Sequence, residues 1–215
     1  MLFRSLIMVD IVTWESAHLF GSALVSHHKL RYRLFVERQE WDVPYFHGME
    51  YDQFDTPAAV YLLQRDKQGE VRGATRLIPT TRPYMIKDVW PDLVDSDDLP
   101  ASPEIWEGTR FGVEAGLSAQ ERNRVAAELV LACLEFGLQN GIQQYLVLMP
   151  ILIIRRIIGG AGCNYDLLGE TKSIGNHRVG VASVEVSHAA LAEARRRFGI
   201  HDPVLSVHHL KEEAA

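Results

Sequence analysis

The segment from Gln144 to Met149 is a near-continuous apolar run of strand length. Such a run is typical of a strand buried on both faces, because a half-exposed strand alternates apolar and polar residues. A strand of this kind needs helices above and below its sheet. The run therefore predicts an α/β fold, with a mixed, twisted central sheet and helices on both faces.

The flanking segments supply the remaining elements of this fold. Ser118 and Glu121 form a capping-box pattern at the start of the clearest helix, which Asn140 and Gly141 close. Apolar spacing predicts the other strands and helices. The strands are Met8 to Thr13, Ala58 to Arg65, Glu70 to Pro79, Glu104 to Val113, Tyr165 to Glu170 and Arg178 to Val186, and the other helices begin near Ser16, Met85, Ile151 and Ala189. No linker or repeat divides the chain, so a single domain over residues 1–215 is predicted.

Composition argues against several classes of function. The net charge of −6 disfavours a nucleic-acid partner, because phosphate contacts need a basic face. The nine histidines lack the spacing that zinc enzymes use, so no metal is predicted. Leu146 to Ile154 is shorter than the roughly 20 residues of a membrane span, and Met1 to Asp10 does not resemble a signal peptide. The apolar contexts of Cys133 and Cys163 suggest a reducing cytoplasm.

The strand from Glu104 to Val113 carries two charges that an apolar strand must pair or expose to a cleft. These are Glu107 and Arg110, and their spacing alone leaves pairing and catalysis open. Their opposite parity aims them at opposite faces of an ideal strand. If both line one cleft, a bulge or twist near Gly108 is expected. Otherwise Glu107 faces the cleft, and Arg110 supports the acids of a neighbouring loop from behind.

That loop, Phe35 to Pro57, is rich in aromatic and acidic residues and has neither helical nor strand periodicity. A loop of this length in a compact domain is usually functional or disordered, and the five aromatics that follow Phe35 argue against disorder. We interpret it as a lid that presents Asp52 and Asp55. On the strand that follows, Arg76 shares a face with the small Ala74. This leaves room for a ligand or a buried acid, although a solvent-facing arginine fits the spacing equally well.

Eight residues on these segments form one constellation: Arg31, Phe35, Trp41, Asp52, Asp55, Arg76 within R-L-I-P-T, and Glu107 and Arg110 within W-E-G-T-R-F. At these mutual spacings they resemble the acyl-homoserine-lactone (autoinducer) synthases of quorum sensing. The resemblance extends from about Val9 to His201. Any one of the eight alone would be a weak signal, but together they are specific.

The resemblance implies a fold related to the GNAT acyltransferases, with an acyl tunnel beside a V-shaped split between central strands. It implies S-adenosylmethionine (SAM) and an acyl thioester, on coenzyme A or acyl carrier protein, as substrates, without a further cofactor. Such enzymes acylate the α-amine, form the lactone and expel methylthioadenosine. The GNAT pyrophosphate loop is missing, since its best register, Glu121 to Ala126, lacks the glycine. A standard acetyl-CoA-binding GNAT is therefore disfavoured.

The resemblance also suggests roles for the charged residues. An α-ammonium must lose a proton before it attacks a thioester, and Glu107 is the candidate base. Arg110 and Arg31 would hold the acids in place and keep them ionised. Asp52 and Asp55 suit a ligand that bears a sulfonium and an ammonium, and Asp55 is grouped with Glu107 and Arg110 as catalytic.

The remaining site residues are assigned to the two substrates. The predicted SAM site comprises Arg31, Phe35, Trp41, Asp52, Asp55 and Arg76, whose aromatics can cover a sulfonium or stack on adenine. The predicted acyl pocket comprises Trp90, where the family usually has Phe, together with Trp106, Met149 and Pro150. No cysteine nucleophile is required, because neither cysteine has a nearby basic activator.

The nature of the acyl donor rests on resemblance. Members that make 3-oxo products carry a Thr near the helix that follows the buried strand, where this chain has Met149 and Pro150. A donor unsubstituted at C3, either short, branched or aryl, is therefore predicted. The segments H-K-L-R-Y-R-L-F-V-E-R and P-Y-M-I-K-D-V-W-P-D-L resemble the branch that uses free acyl-CoA of isovaleryl or cinnamoyl type.

Three alternatives stay open at this point. They are a carrier-protein-dependent synthase, a GNAT-like N-acyltransferase for another amine, and a non-catalytic binding module. Four arginines fit either an acidic carrier protein or the phosphates of CoA, so charge does not decide the carrier. These are Arg122, Arg124, Arg155 and Arg156.

Overall fold

One twisted sheet organises the molecule. A computed structural model describes residues 8–95, 99–174 and 177–206. The strands within these residues are β1 (Val9–Val12), β2 (Tyr45–Phe46), β3 (Met49–Glu50), β4 (Val60–Arg65), β5 (Val71–Pro79), β6 (Ile105–Val113), β7 (Gln144–Pro150), β8 (Tyr165–Leu167), β9 (Lys172–Ile174) and β10 (His177–Glu185). Eight of these described strands form a mixed sheet in the order β1-β4-β5-β6-β7-β10-β8, with β9 also paired to β10. The predicted mixed sheet is confirmed.

Helices cover both faces of this sheet, as predicted. They are α1 (Gly21–Arg31), continued by the π-helical segment Tyr32–Glu37, α2 (Met85–Val89), α3 (Ala119–Gln139), α4 (Ile151–Ile153), continued by the π-helical segment Ile154–Gly159, and α5 (His188–Phe198). The capping box of Ser118 and Glu121 is present at the start of α3. None of the helices in the described part of the chain is both long and apolar enough to cross a membrane.

Alternate residues of the central strands separate two apolar cores. Leu62 and Leu77 pack with α3 and α5 on what we call the α3 face. Leu63 and Ala74 pack with α1 on the opposite side, the α1 face. This alternation is what the period of two along a strand requires.

The sheet divides next to β6. The parallel pairing of β6 with β7 runs from Ile105 opposite Gln144 to Gly108 opposite Val147, and among the described residues it ends there. Beyond this point β6 pairs with β5 alone and β7 pairs with β10. The result is a V-shaped split between two central strands, and we call it the split.

Three details differ from the sequence-based expectations. The helix expected from Ser16 starts as a short 3₁₀ helix, Ala17–Leu19, and the α-helix begins only at Gly21. The lid contains the small β2–β3 hairpin, which its sequence does not signal. The strand expected over Tyr165 to Glu170 ends at Leu167, and β9 follows it. The first seven residues, for which no signal peptide is predicted, lie outside the described part of the chain.

Candidate active site

Three arginines and three carboxylates form a buried group on the α1 face, which we call the charged cluster. Its members are Arg31 at the end of α1, Glu50 at the end of β3, Asp52 and Asp55 in the turn that follows, Arg76 on β5 and Arg110 on β6. None of these six side chains is more than 10% exposed. The formal charges cancel, so the cluster can be buried without a net charge.

Arg31 binds the Asp55 carboxylate through both terminal nitrogens of its guanidinium group. The Nη1–Oδ1 distance is 2.7 Å and the Nη2–Oδ2 distance is 2.9 Å. Asp55 also accepts hydrogen bonds from the Tyr61 hydroxyl and the Asp52 backbone N–H. Burial alone would raise the pKa of Asp55, but the hydrogen bonds and charge of Arg31 hold that pKa well below its usual range. Asp55 is therefore a fixed anion.

Arg76 is fully buried, so the alternative of a solvent-facing arginine is wrong. Its Nη1 lies 2.6 Å from Asp52 Oδ1 and 2.9 Å from Asp55 Oδ1, and its Nε donates to the Thr109 hydroxyl. Although burial opposes it, the pKa of Asp52 is lowered by Arg76 and, more weakly, by Arg110. The acids of the lid and the arginines of the sheet thus form one network of ion pairs.

A β-bulge brings Arg110 into the cluster. Arg76 pairs with Thr109 and Ala74 with Gly112, so two residues of β6 stand opposite one residue of β5. Arg110 has a φ of 52°, and its Nη2 lies 2.6 Å from Asp52 Oδ2. The expected bulge near Gly108 therefore lies two residues further on. Gly108 is still held by strands on both sides, and β6 distorts only after it has lost β7.

Glu107 does not pair with Arg110. It is fully buried, and its carboxylate accepts the backbone N–H groups of Met85 at 3.0 Å and Ile86 at 2.7 Å, at the start of α2. Burial raises the pKa of Glu107 to about 7, although these two hydrogen bonds and Arg76 act in the opposite direction. A carboxyl group with this pKa can exchange a proton at neutral pH, which is the property a general base needs.

Glu50 is the site residue that sequence reasoning missed. It is fully buried, its carboxylate binds Arg31 Nε, and it accepts hydrogen bonds from Arg110 Nε at 3.2 Å and Nη2 at 3.0 Å. Its carbonyl oxygen also contacts His28 Nδ1 at 2.8 Å. The available signal was its position two residues before Asp52, which places both acids on one face of an extended segment.

Two aromatic residues of the lid stack beside the cluster. The rings of Phe35 and Trp41 are 5.0 Å apart and nearly parallel, at 13°. The guanidinium of Arg110 lies 5.5 Å from the centroid of Phe35. Trp41 remains 37% exposed, so this aromatic wall is open on its outer side. Such a wall can cover a sulfonium or stack on a heterocyclic base.

An apolar cavity of about 50 Å³ lies on the other side of the sheet, between the central strands and α3. Leu77, Phe111 and Met149 line it from the strands, and Cys133 and Cys163 line it from the helical side. Burial raises the pKa of the Cys133 thiol to about 12 and that of Cys163 to about 11. Both cysteines therefore remain protonated and provide apolar surface at neutral pH.

The structure separates the four residues predicted for the acyl pocket. Met149 lines the apolar cavity, and Pro150 lines a neighbouring groove. Trp106 packs on the α3 face with its ring 5.7 Å from that of Phe136. Trp90 packs on the α1 face, among the residues around Glu107.

The charged cluster and the apolar cavity lie on opposite faces, and β6, the strand beside the split, contributes residues to both. Glu107 faces the α1 face, while the next residue, Gly108, lines the cavity at the last pair with β7. A polar amine held on one face can thus meet an acyl group held on the other. Among the described residues no group of His, Cys, Asp and Glu is arranged to hold a metal ion.

Comparison with known proteins gives consistent matches. The model of the autoinducer synthase family matches residues 17–193. The isovaleryl-homoserine lactone synthase of Bradyrhizobium diazoefficiens is 30% identical over 196 residues, which is 90% of this chain and 86% of that protein. A CoA-dependent acyl-homoserine lactone synthase, BjaI, solved with SAM and isopentyl-CoA, has a TM-score of 0.84 and 29% identity, covering 93% of this chain and 92% of its own.

A more distant match concerns the fold alone. A protein from Lactobacillus plantarum assigned as an N-acetyltransferase has a TM-score of 0.54 at 14% identity, covering 84% of this chain and 99% of its own. The predicted GNAT-like fold is confirmed.

Proposed function

This chain belongs to the autoinducer synthase family and is an acyl-homoserine-lactone synthase, and from that premise we propose that it transfers a short, branched acyl group from CoA to SAM. The observation that carries this proposal is the charged cluster facing a small apolar cavity across the split. The product would be an N-acyl-L-homoserine lactone of isovaleryl type, a quorum-sensing signal.

The charged cluster supports binding of SAM. SAM carries a sulfonium, an ammonium and a carboxylate. Its binding site therefore needs acids for the two cationic groups and a cation, such as an arginine, for the carboxylate. Asp52 and Asp55 are ionised at neutral pH and supply the acids, while the arginines can take the carboxylate. The stacked pair of Phe35 and Trp41 offers a surface for the adenine or the sulfonium.

The size of the apolar cavity supports a branched aliphatic acyl group over an aryl group. Its volume is about 50 Å³. A core cavity of about 150 Å³ is the size that accommodates benzene in a well-studied lysozyme variant. The walls must therefore move for either donor, but a cinnamoyl group has eight carbons beyond its carbonyl and an isovaleryl group four, so the movement required is smaller for isovaleryl. The similar isovaleryl-homoserine lactone synthase points to the same class of donor.

Free acyl-CoA is the favoured form of the donor. The support is the likeness over nearly the whole chain to a CoA-dependent synthase that was solved with SAM and isopentyl-CoA. Acyl carrier protein is the alternative carrier for the same reaction. No cofactor beyond the two substrates enters the proposed chemistry.

The proposed reaction has two steps. Glu107 accepts a proton from the α-ammonium of SAM, and the free amine attacks the thioester carbon. The C–S bond of the thioester breaks, the amide forms, and CoA leaves as its thiol after taking up a proton. The SAM carboxylate then attacks Cγ of the methionine moiety, its C–S bond breaks, and methylthioadenosine leaves as a neutral thioether.

A product assay tests this proposal. The protein is incubated with SAM and, separately, isovaleryl-CoA, cinnamoyl-CoA and the matching carrier-protein thioesters. We expect isovaleryl-CoA to give methylthioadenosine and N-isovaleryl-homoserine lactone in equal amounts. Preference for a carrier-protein thioester would overturn the proposed carrier, and preference for cinnamoyl-CoA would overturn the proposed acyl group. Acylation of another amine without methylthioadenosine would contradict the reaction itself.

A further inference from the structure

The N-terminus of α3 is one candidate site for the phosphates of an acyl-CoA, because helix N-termini bind anions. Here two acids of the chain lie beside the start of the helix. Glu114 accepts the backbone N–H groups of Ala115 at 2.9 Å and Gly116 at 3.5 Å, and it pairs with Arg33. Glu121 accepts the backbone N–H of Ser118 at 3.0 Å. Their negative charge disfavours the phosphates of a donor at this position.

A second concave surface lies at the end of β7, and we call it the basic groove. Its volume is about 510 Å³, which is within the range of roughly 300–1,000 Å³ typical of ligand sites. It is lined by Arg155, Arg178, His177 and Thr171 over an apolar floor that includes Leu152 and Leu167.

The charge of this groove contrasts with that of the chain. Two arginines and a histidine line it, and its lining, as far as the structure describes the chain, contains no Asp or Glu, although the chain carries a net charge of −6. The Arg178 Nε–H bonds to the Thr171 hydroxyl, which leaves the outer guanidinium nitrogens for another acceptor. The ion pairs found within the described residues do not include Arg155. The groove thus suits an anion with several oxygens.

The floor of the groove indicates that this anion also carries an apolar or ring-shaped part. Leu152 is 76% exposed and Leu167 is 47% exposed. Gly180 makes the floor possible, because a Cβ there would lie 2.8 Å from Ile151 Cδ1. A nucleotide has both features, since its base covers apolar surface and its phosphates take cationic hydrogen bonds.

The groove and the apolar cavity are lined by neighbouring residues at the end of one strand. Met149 lines the cavity and its neighbour Pro150 lines the groove. A donor whose acyl group fills the cavity and whose thioester lies in the split would leave the sheet at this point. Its carrier arm would then reach the groove.

We propose that the basic groove binds the phosphate-bearing nucleotide end of the acyl-CoA donor, with Arg155 and Arg178 on its phosphates. This inference rests on the proposed use of acyl-CoA. It assigns these arginines to recognition of the carrier and gives them no part in the chemistry at the split.

The test combines a double variant with donors that lack phosphates. Steady-state kinetics are measured for the wild type, for R155A/R178A and for the control R196A, whose exposed arginine pairs with Glu193 on α5. The donors are isovaleryl-CoA, isovaleryl-3′-dephospho-CoA and isovaleryl-pantetheine. Circular dichroism checks that each variant is folded.

We expect R155A/R178A to raise the KM for isovaleryl-CoA by about tenfold or more, the scale of one lost charge-assisted hydrogen bond. The kcat at saturation, the KM for SAM and the kinetics with isovaleryl-pantetheine should match the wild type, as should all values for R196A. An unchanged KM for isovaleryl-CoA, or an equal rise with isovaleryl-pantetheine, would overturn the inference alone. A wild type that uses only carrier-protein thioesters would instead overturn the proposed donor, and this assignment with it.

Discussion

Glu107 has no arginine bound to it, and this distinguishes it from the other acids of the site. Asp52, Asp55 and Glu50 each bind two arginines, whereas Glu107 is held by two backbone N–H groups. Arginine pairing keeps an acid ionised, while burial without a bound cation raises its pKa. Asp52 and Asp55 are thus held as anions, whereas Glu107 titrates near neutral pH.

The raised pKa of Glu107 predicts how stability depends on pH. Between pH 4.5, the ordinary pKa of a Glu side chain, and about pH 7, the Glu107 carboxyl group is protonated to a greater extent in the folded protein than in the unfolded chain. Stability of the wild type therefore falls as pH rises through that window, while Glu107→Gln lacks this contribution. From pH 4.5 to pH 8 the difference in unfolding free energy should shift by about 3 kcal/mol in favour of the variant. Denaturant titrations at both pH values measure it, and a constant difference would refute the raised pKa.

A second prediction concerns Glu50 and the binding of SAM. Glu50→Gln leaves Arg31 and Arg110 without their shared carboxylate, so the KM for SAM should rise at least about tenfold and stability should fall by about 3–5 kcal/mol. Glu128→Gln is the matched control, because Glu128 is also buried and arginine-paired but lies on α3. If both variants bind SAM equally well, Glu50 has no role in the site.

Sequence spacing predicted most of the individual site residues but not their partners. Arg31, Asp52, Asp55, Arg76 and Arg110 converge because the lid folds back onto two strands. The residue types indicated buried charges, but which acid meets which arginine depends on the path of the lid. Glu50 was missed for this reason, since its spacing of two residues from Asp52 indicates a shared face but does not indicate which arginines that face meets.

At the scale of elements, β6 and the segment after α1 shape the site. The long, periodic elements were predictable, including α3 with its capping box and the buried strand β7. The bulge at Arg110 and the π-helical turns Tyr32–Glu37 were not. Both are departures from regular geometry that tertiary contacts stabilise, and they leave no periodic signal in the sequence.

The contact between these two elements can be tested at Gly112. A Cβ on this residue would lie 2.5 Å from Leu34 Cδ1 in the π-helical segment. Gly112→Ala should therefore cost about 1–3 kcal/mol of stability and raise the KM for SAM, because the neighbouring Phe35 shifts. Gly116→Ala is the control, since its Cβ would meet nothing within 4 Å. Equal kinetics for the two variants would show that this packing does not position the SAM site.

At the scale of the whole molecule, the proposed reaction would bring the two substrates together from opposite faces of the divided sheet. The α1 face carries the charged cluster and the α3 face carries the apolar cavity, and β6, beside the split, contributes residues to both. The α/β class and the helices on both faces followed from apolar patterning. The size of the cavity did not, because it depends on how α3 and the second π-helical segment pack over the strands.

Cavity size predicts a change in donor selectivity. Met149→Ala removes one wall, so the preference in kcat/KM for isovaleryl-CoA over cinnamoyl-CoA should fall by about tenfold or more. Leu138→Ala, on the same face but outside the lining, should keep the wild-type ratio. A preference for isovaleryl-CoA that survives in Met149→Ala would mean that another feature selects the acyl group.

The most direct test of the account is the pH dependence of acyl transfer in a single turnover. Release of free CoA thiol from isovaleryl-CoA is followed with saturating SAM, between pH 5.5 and 9, for the wild type and Glu107→Gln. The wild-type rate should rise with pH through an inflection near 7, where Glu107 loses its proton. The variant should still bind both substrates but react roughly 10²-fold more slowly or worse, without that inflection. A variant with the wild-type rate and the same inflection would contradict the assignment of Glu107 as the base.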